Sequence, residues 1–124
     1  MKRFNKEKGR QGEEAATLFL LKAGYKILQN NFYTKWGEID IVADDKGQLV
    51  FVEVKTRVGD ALGTPEEMID KNKIKKVVKT AQLYLQKNPE VAEKYDSFRL
   101  DAVAVVFTPE GEIARVSHYQ NLTF

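Results

Sequence analysis

The stretch Gly37 to Thr56, G-E-I-D-I-V-A-D-D-K-G-Q-L-V-F-V-E-V-K-T, constrains this chain more than any other. Ile39, Ile41 and Val42 make one β-rich run and Leu49 to Val54 a second, and Asp44-Asp45-Lys46-Gly47 between them has the residues of a tight hairpin turn. Three charged residues sit against that pattern. Asp40 lies inside the first run although Asp is depleted in strands, and Glu53 and Lys55 interrupt the second at i and i+2, on one face. Charges on a buried sheet are costly unless they pair or hold an ion. Register decides whether Asp40 joins the other two. With Asp44 opposite Gly47 or Leu49, Asp40 falls opposite Phe51 or Glu53 and on their face, whereas a slip of one residue turns it away. Converging carboxylates would suit Mg²⁺, which takes oxygen donors at about 2.0–2.1 Å and keeps several waters.

An Asp opening a hairpin, then Glu-x-Lys on the next strand, here Asp40 and Glu53-Val54-Lys55, resembles the PD-(D/E)XK nuclease core. The chain as a whole resembles the YraN family, small bacterial proteins similar to archaeal Holliday-junction resolvases. The carrying segments are Lys8-Gly9-Arg10-Gln11-Gly12-Glu13-Glu14-Ala15-Ala16, Trp36 to Asp40, Phe51 to Arg57 and Phe98-Arg99-Leu100-Asp101. The Pro of the motif's name is missing, since Glu38-Ile39 precedes Asp40. The resemblance implies an α/β, restriction-endonuclease-like three-layer domain: a mixed five-stranded sheet flanked by helices, in the order α-β-β-β-α-β-β. It implies a catalytic set of Glu13, Asp40, Glu53 and Lys55. Mg²⁺, with Mn²⁺ as a substitute, would be held by Glu13, Asp40, Glu53 and the Val54 backbone carbonyl. The implied substrate is branched or structured DNA, and a homodimer fits proteins that cut two strands with two-fold symmetry.

With 124 residues, 43% of them hydrophobic, one domain spanning 1–124 is expected. Twenty basic against eighteen acidic residues leave a net charge of +2, so a polyanion partner must be argued from where the cations cluster. The absence of cysteine excludes disulfide scaffolds, thiolate zinc sites and Cys nucleophiles, and the single histidine, His118, argues against a Ser-His-Asp triad or a His-rich metal site. The segment Lys2 to Arg10 is charged, and the longest apolar run, Leu18 to Leu21, ends at Lys22. Neither a signal peptide nor a membrane span is read, and a cytoplasmic location is expected.

In chain order, residues 1–4 read as a basic tail and Asn5 as the cap of a helix running to about Ala23, with Gly24 at its C′ position. Glu13 on this helix either complements the dipole or, as the resemblance implies for the Gly9 to Glu13 segment, reaches the metal. Tyr25 to Tyr33 reads as a strand with Asn30-Asn31 as a kink. Phe32, Tyr33 and Trp36 either stack on unpaired bases or cover a sheet end. Glu38 shares the face of Asp40 by the period of two. A loop follows from Val58 to Gly63, and Thr64-Pro65-Glu66-Glu67 is a capping-box start. The next helix restarts at Asp70 and runs to about Lys87, with Ile74, Val77, Val78, Ala81 and Leu85 buried. Lys71, Lys75 and Lys79 recur at i+4, with Lys73 and Lys76 beside them. With Arg57 they read either as a phosphate-binding face or as a solvated one. Gln82 and Tyr84 loosely resemble a glutamine motif of related nucleases. Phe98 to Phe107 is apolar enough for a central strand, and Ile113 to Tyr119 makes the last one.

The leading expectation is therefore a metal-dependent DNA endonuclease. One rival is a non-catalytic nucleic-acid-binding module of the same fold. The other is a protein-interaction domain in which Lys55 pairs with Asp40 or Glu53 and the charges are only structural.

Overall fold

Lys46 and Gly47 both take positive φ, 52° and 90°, and form the two-residue turn that joins β2 (Gly37–Asp45) to β3 (Gln48–Val58). Asp44 Oδ1 accepts the Gly47 N–H at 2.8 Å and fixes the turn. Pairing then runs from Asp45↔Gln48 through Asp44↔Leu49 to Ile41↔Val52, one of the two registers that bring Asp40 toward Glu53. This computed structural model describes residues 2–59 and 69–122. The other elements are α1 (Lys2–Lys22), β1 (Lys26–Thr34), α2 (Lys71–Lys87), α3 (Pro89–Lys94), β4 (Phe98–Phe107) and β5 (Ile113–Tyr119). The sheet is five-stranded in the order β1-β2-β3-β4-β5, antiparallel except between β3 and β4. Parallel pairing requires a crossover, and α2 and α3 lie within it.

The two apolar faces of the sheet carry different helices. Ala16 and Leu20 of α1 pack with Ile41, Ala43, Val50, Val52, Val103 and Val105. Ile74, Val77, Ala81 and Tyr84 of α2 pack with Val42, Leu49, Phe51 and Leu100 on the other. Sheet and helices thus form a mixed α/β architecture with five strands.

Three expectations need correction. The element order gains a helix, because α3 forms where a plain connection was read: Pro89 presets φ at its first turn, and Val91 and Tyr95 reach the α2-side core. Tyr95 also donates its hydroxyl to Asp44 Oδ2 at 2.5 Å. The first helix begins at Lys2, so Asn5 lies within it and is not its cap. On α2, Thr80 and Tyr84 are buried, while Val78 and Leu85 are only partly so. The capping box Thr64 to Glu67 lies outside the described residues; α2 itself is capped by Asp70, which accepts the Lys73 N–H at 2.8 Å. Gly24 has φ 96°, as a C′ residue requires. Among the described residues no helix is long and apolar enough to cross a membrane.

Candidate functional site

The β2–β3 ladder ends at Ile41↔Val52, and Asp40 stands at that end. Ile41 packs with the α1-side core while Ile39 packs with the α2-side core, so strict alternation breaks at Asp40. Its side chain turns toward β3, where Oδ2 accepts the Val54 N–H at 2.7 Å. Asp40 is 4% exposed. Burial first, then the negative charge of Glu53, push its carboxyl up to about 8, against the Val54 hydrogen bond; Glu13 and Glu38 add to the rise.

Glu53 carries two cations on one oxygen. Lys55 Nζ lies 3.1 Å and Lys73 Nζ 3.4 Å from its Oε1. Lys55 comes from the same strand, two residues on, and Lys73 from the first turn of α2. Burial alone would lower the Lys73 pKa, but the charge of Glu53 and contacts with Lys55 and Glu53 outweigh it and the ammonium is held above its usual range.

Glu13 arrives from α1. The helix sits so close to β3 that a Cβ on Gly12 would fall 2.0 Å from Thr56 Oγ1, so only glycine permits this approach. Gly9, by contrast, has nothing within 4 Å of such an atom. Desolvation and then the charge of Glu38 raise the Glu13 pKa, an Asn31 hydrogen bond opposes them, and Glu53 adds to the rise. Asn31 has φ 59°, and its Oδ1 is buried with no hydrogen-bond partner among the described residues. An open groove lined by Arg10, Glu13, Glu14, Thr17, Asn30 and Asn31 leads away from this point along α1 and β1.

Glu13, Glu38, Asp40 and Glu53 therefore stand within electrostatic reach of one another, with Lys55 and Lys73 as their cations. With all six ionised, four negative and two positive charges leave an excess of two negative charges. Hard oxygen donors with that excess fit a divalent cation such as Mg²⁺. No three carboxylate or imidazole groups among the described residues form a ready-made cation cage, and Glu53 Oε1 is engaged by both ammonium groups.

The remaining sequence candidates divide. Lys71, Lys75, Lys76 and Lys79 are exposed on α2, whereas Lys73 points to Glu53. Lys79 lies 4.4 Å over the Trp36 ring. Arg57 belongs to β3 itself, not to the loop after it, and its Nε is buried with no partner among the described residues. Gln82 is exposed. Glu38 is exposed yet adds its charge to the cluster. Sequence reasoning missed Asn31 and the Glu53 contact of Lys73. The positive-φ kink at Asn31 was legible as a turn residue, but nothing local linked it to Glu13.

A sequence model described as "Uncharacterised protein family UPF0102" matches residues 12–105 of the chain. A UPF0102 protein of Caldanaerobacter subterraneus is 43% identical over 123 residues, covering 98% of each chain. A second, from Syntrophomonas wolfei, is 39% identical over 118 residues, 95% of this chain and 98% of its own. A third, from Persephonella marina, is 43% identical over 103 residues, 83% of this chain and 86% of its own.

Proposed function

Because the chain belongs to the UPF0102 family, whose description assigns no activity, we propose its function from the site: a divalent-cation-dependent endonuclease acting on branched or structured DNA, on a restriction-endonuclease-like fold. The observation that carries this reading is Asp40, a buried carboxylate at the end of the hairpin ladder, pressed by three other carboxylates and facing a lysine-bearing strand. Asp40, Glu53, the Val54 carbonyl and Glu13 are the groups that would hold Mg²⁺. When bound, the cation supplies Lewis acidity toward phosphate oxygen and water. To serve as a ligand Asp40 would release its proton to solvent. Lys55, which pairs with Glu53 in the cation-free chain, would offer its ammonium to the attacking water and the phosphate, where its compact charge would offset the negative charge growing in the transition state. Arg57 and the exposed Lys71, Lys75, Lys76 and Lys79 grip phosphates without reading sequence, with Lys73 at the margin of the site.

The test is cleavage of a panel of branched, flapped and linear DNAs in Mg²⁺ or Mn²⁺. Asp40→Asn should abolish cleavage and leave binding intact or slightly tighter, since a negative charge near phosphate is lost. Lys55→Ala should lower turnover on the order of a hundredfold, with a smaller effect on affinity. Replacing Lys71, Lys75 and Lys79 by Gln should flatten the salt dependence of binding. Binding without turnover on the whole panel would overturn the enzyme in favour of a nucleic-acid-binding module. The 3.1 Å Lys55–Glu53 pair favours a third reading, an interaction domain with purely structural charges. Failure both to bind and to cleave would select it.

A further inference from the structure

The turn between β1 and β2 displays two exposed aromatic side chains, Tyr33 close to the carboxylate cluster and Trp36 two residues before Glu38. Tyr33 is 66% and Trp36 54% exposed, whereas their neighbour Phe32 is packed edge-on against Tyr84, ring centroids 5.1 Å apart. Only Phe32, then, serves as a cover for the sheet end. Thr34 holds the turn with three bonds: its Oγ1 accepts the Trp36 and Gly37 N–H groups at 3.1 Å each and donates to the Gly37 carbonyl at 2.9 Å. Helix α2 comes close because Gly37 has no side chain; a Cβ there would meet Thr80 Oγ1 at 3.1 Å. That contact places Lys79 4.4 Å from the Trp36 ring centroid, with Lys35 at 5.2 Å. Tyr33 lies near enough to Glu38, Glu13 and Asp40 to feel their charge. Trp36 and its two lysines thus stand on a fixed turn that leads directly into Glu38 of the cluster.

A nucleic-acid strand approaching four carboxylates is repelled until a cation is bound, so its purchase must come from the side. Exposed rings flanked by lysines supply it without reading sequence, since every base has a π-face and each lysine faces a phosphate. Inside a duplex each base is stacked on both faces and has none to offer. Tyr33, next along the strand from the α2-facing Phe32, lies on the opposite face toward Glu13. We propose that Trp36, with Lys35 and Lys79, forms a stacking platform for an unpaired base of a DNA strand entering the acidic site. This rests on the nucleic-acid reading above and narrows its substrate to DNA with single-stranded character next to the point of attack.

Trp36 is the single tryptophan of the chain, so its fluorescence reports this platform alone. The experiment titrates the full chain in EDTA with end-labelled oligo-dT, or with the same strand paired to oligo-dA. Label anisotropy measures occupancy, and tryptophan emission measures stacking. Saturating oligo-dT should quench Trp36, and the blunt duplex at equal occupancy should not. Trp36→Ala should weaken oligo-dT binding roughly five- to hundredfold and duplex binding less than twofold. Trp36→Phe should restore most of the loss. Saturated oligo-dT binding with unchanged emission overturns the platform, as does equal weakening of both DNAs by Trp36→Ala; neither result touches the endonuclease reading. Quenching without cleavage under any cation sustains the platform and removes the enzyme. Failure to bind either DNA at low salt, in EDTA and in Mg²⁺ alike, overturns both. An RNA oligomer of equal length that quenches at lower concentration than oligo-dT would overturn the assignment to DNA.

Discussion

Two aspartates of this sheet are almost equally buried, Asp40 at 4% and Asp101 at 1% exposure, and they are treated in opposite ways. Asp101 on β4 is saturated: it accepts from Arg99 Nε at 2.9 Å and from the Asn121 N–H at 2.9 Å, and His118 Nε2 lies 2.8 Å from its second oxygen. Arg99 in turn donates to Asp45, Gln48 and Tyr25. Burial pushes the Asp101 carboxyl up, but the His118, Arg99 and Asn121 bonds outweigh it and hold the carboxyl below its ordinary value. Asp40 accepts one backbone N–H and faces three like charges. One carboxylate ties β4 to β5 and, through Arg99, to the end of β2. The other is pressed by like charges that its one backbone hydrogen bond does not offset, at a cost to stability.

Removing the saturated member should have the largest effect. Asp101→Ala leaves a cavity, takes the bidentate partner from Arg99 and frees His118 and the Asn121 N–H beside the end of β5, and it is expected to cost about 3–5 kcal/mol. The urea midpoint at pH 7 reads it. A loss below about 1 kcal/mol would show that Asp45 alone neutralises Arg99.

Asp40 should move stability the other way. Its carboxyl has an ordinary pKa of 3.8 and is pushed to about 8 in the fold. Between those values the folded chain binds more protons than the unfolded one, so this residue weakens the fold progressively as pH rises and most above pH 8. Asp40→Asn keeps the acceptor for Val54 and deletes the charge. The variant should match wild type near pH 4 and exceed it by on the order of 2–3 kcal/mol at pH 9. Paired melts across that range check it, and a variant less stable at pH 9 would mean that the aspartate charge is compensated after all.

The contrast was half legible in the sequence. Asp40, Glu53 and Lys55 announce themselves because charges inside a β-rich hairpin break a local pattern, and the Asp44-Asp45-Lys46-Gly47 turn narrows their register to two choices. Strands β4 and β5 were readable to the residue because a long apolar run and a Pro-Glu-Gly turn delimit them. The Asp101 network was not, although Arg99 and Asp101 share a strand face. Its other partners lie far along the chain, Tyr25 74 residues from Arg99 and Asp45 54 residues away, and only the folded sheet joins them. Lys73 shows the same limit on a helix. Its spacing placed it in a lysine stripe, but helix rotation against the sheet decides which lysine meets Glu53.

The smallest expected effect comes from adding a cation. A cation that binds only the folded chain stabilises it by RT ln(1 + [L]/Kd), about 1.4 kcal/mol at ten times its Kd. At pH 8 the Asp40 proton is half lost in the cation-free chain, so Mg²⁺ or Mn²⁺ enters at little cost; at pH 5 it must displace that proton, and the gain should shrink. Melting curves with and without the cation at the two pH values measure this. His118→Gln, at a residue that contacts Asp101, Phe19 and Tyr25 and none of the Asp40 cluster, should keep the cation effect, whereas Asp40→Asn should lose most of it. An equal shift in wild type and Asp40→Asn would assign the cation to the protein surface at large and leave Asp40 as a buried carboxylic acid with no ligand to hold.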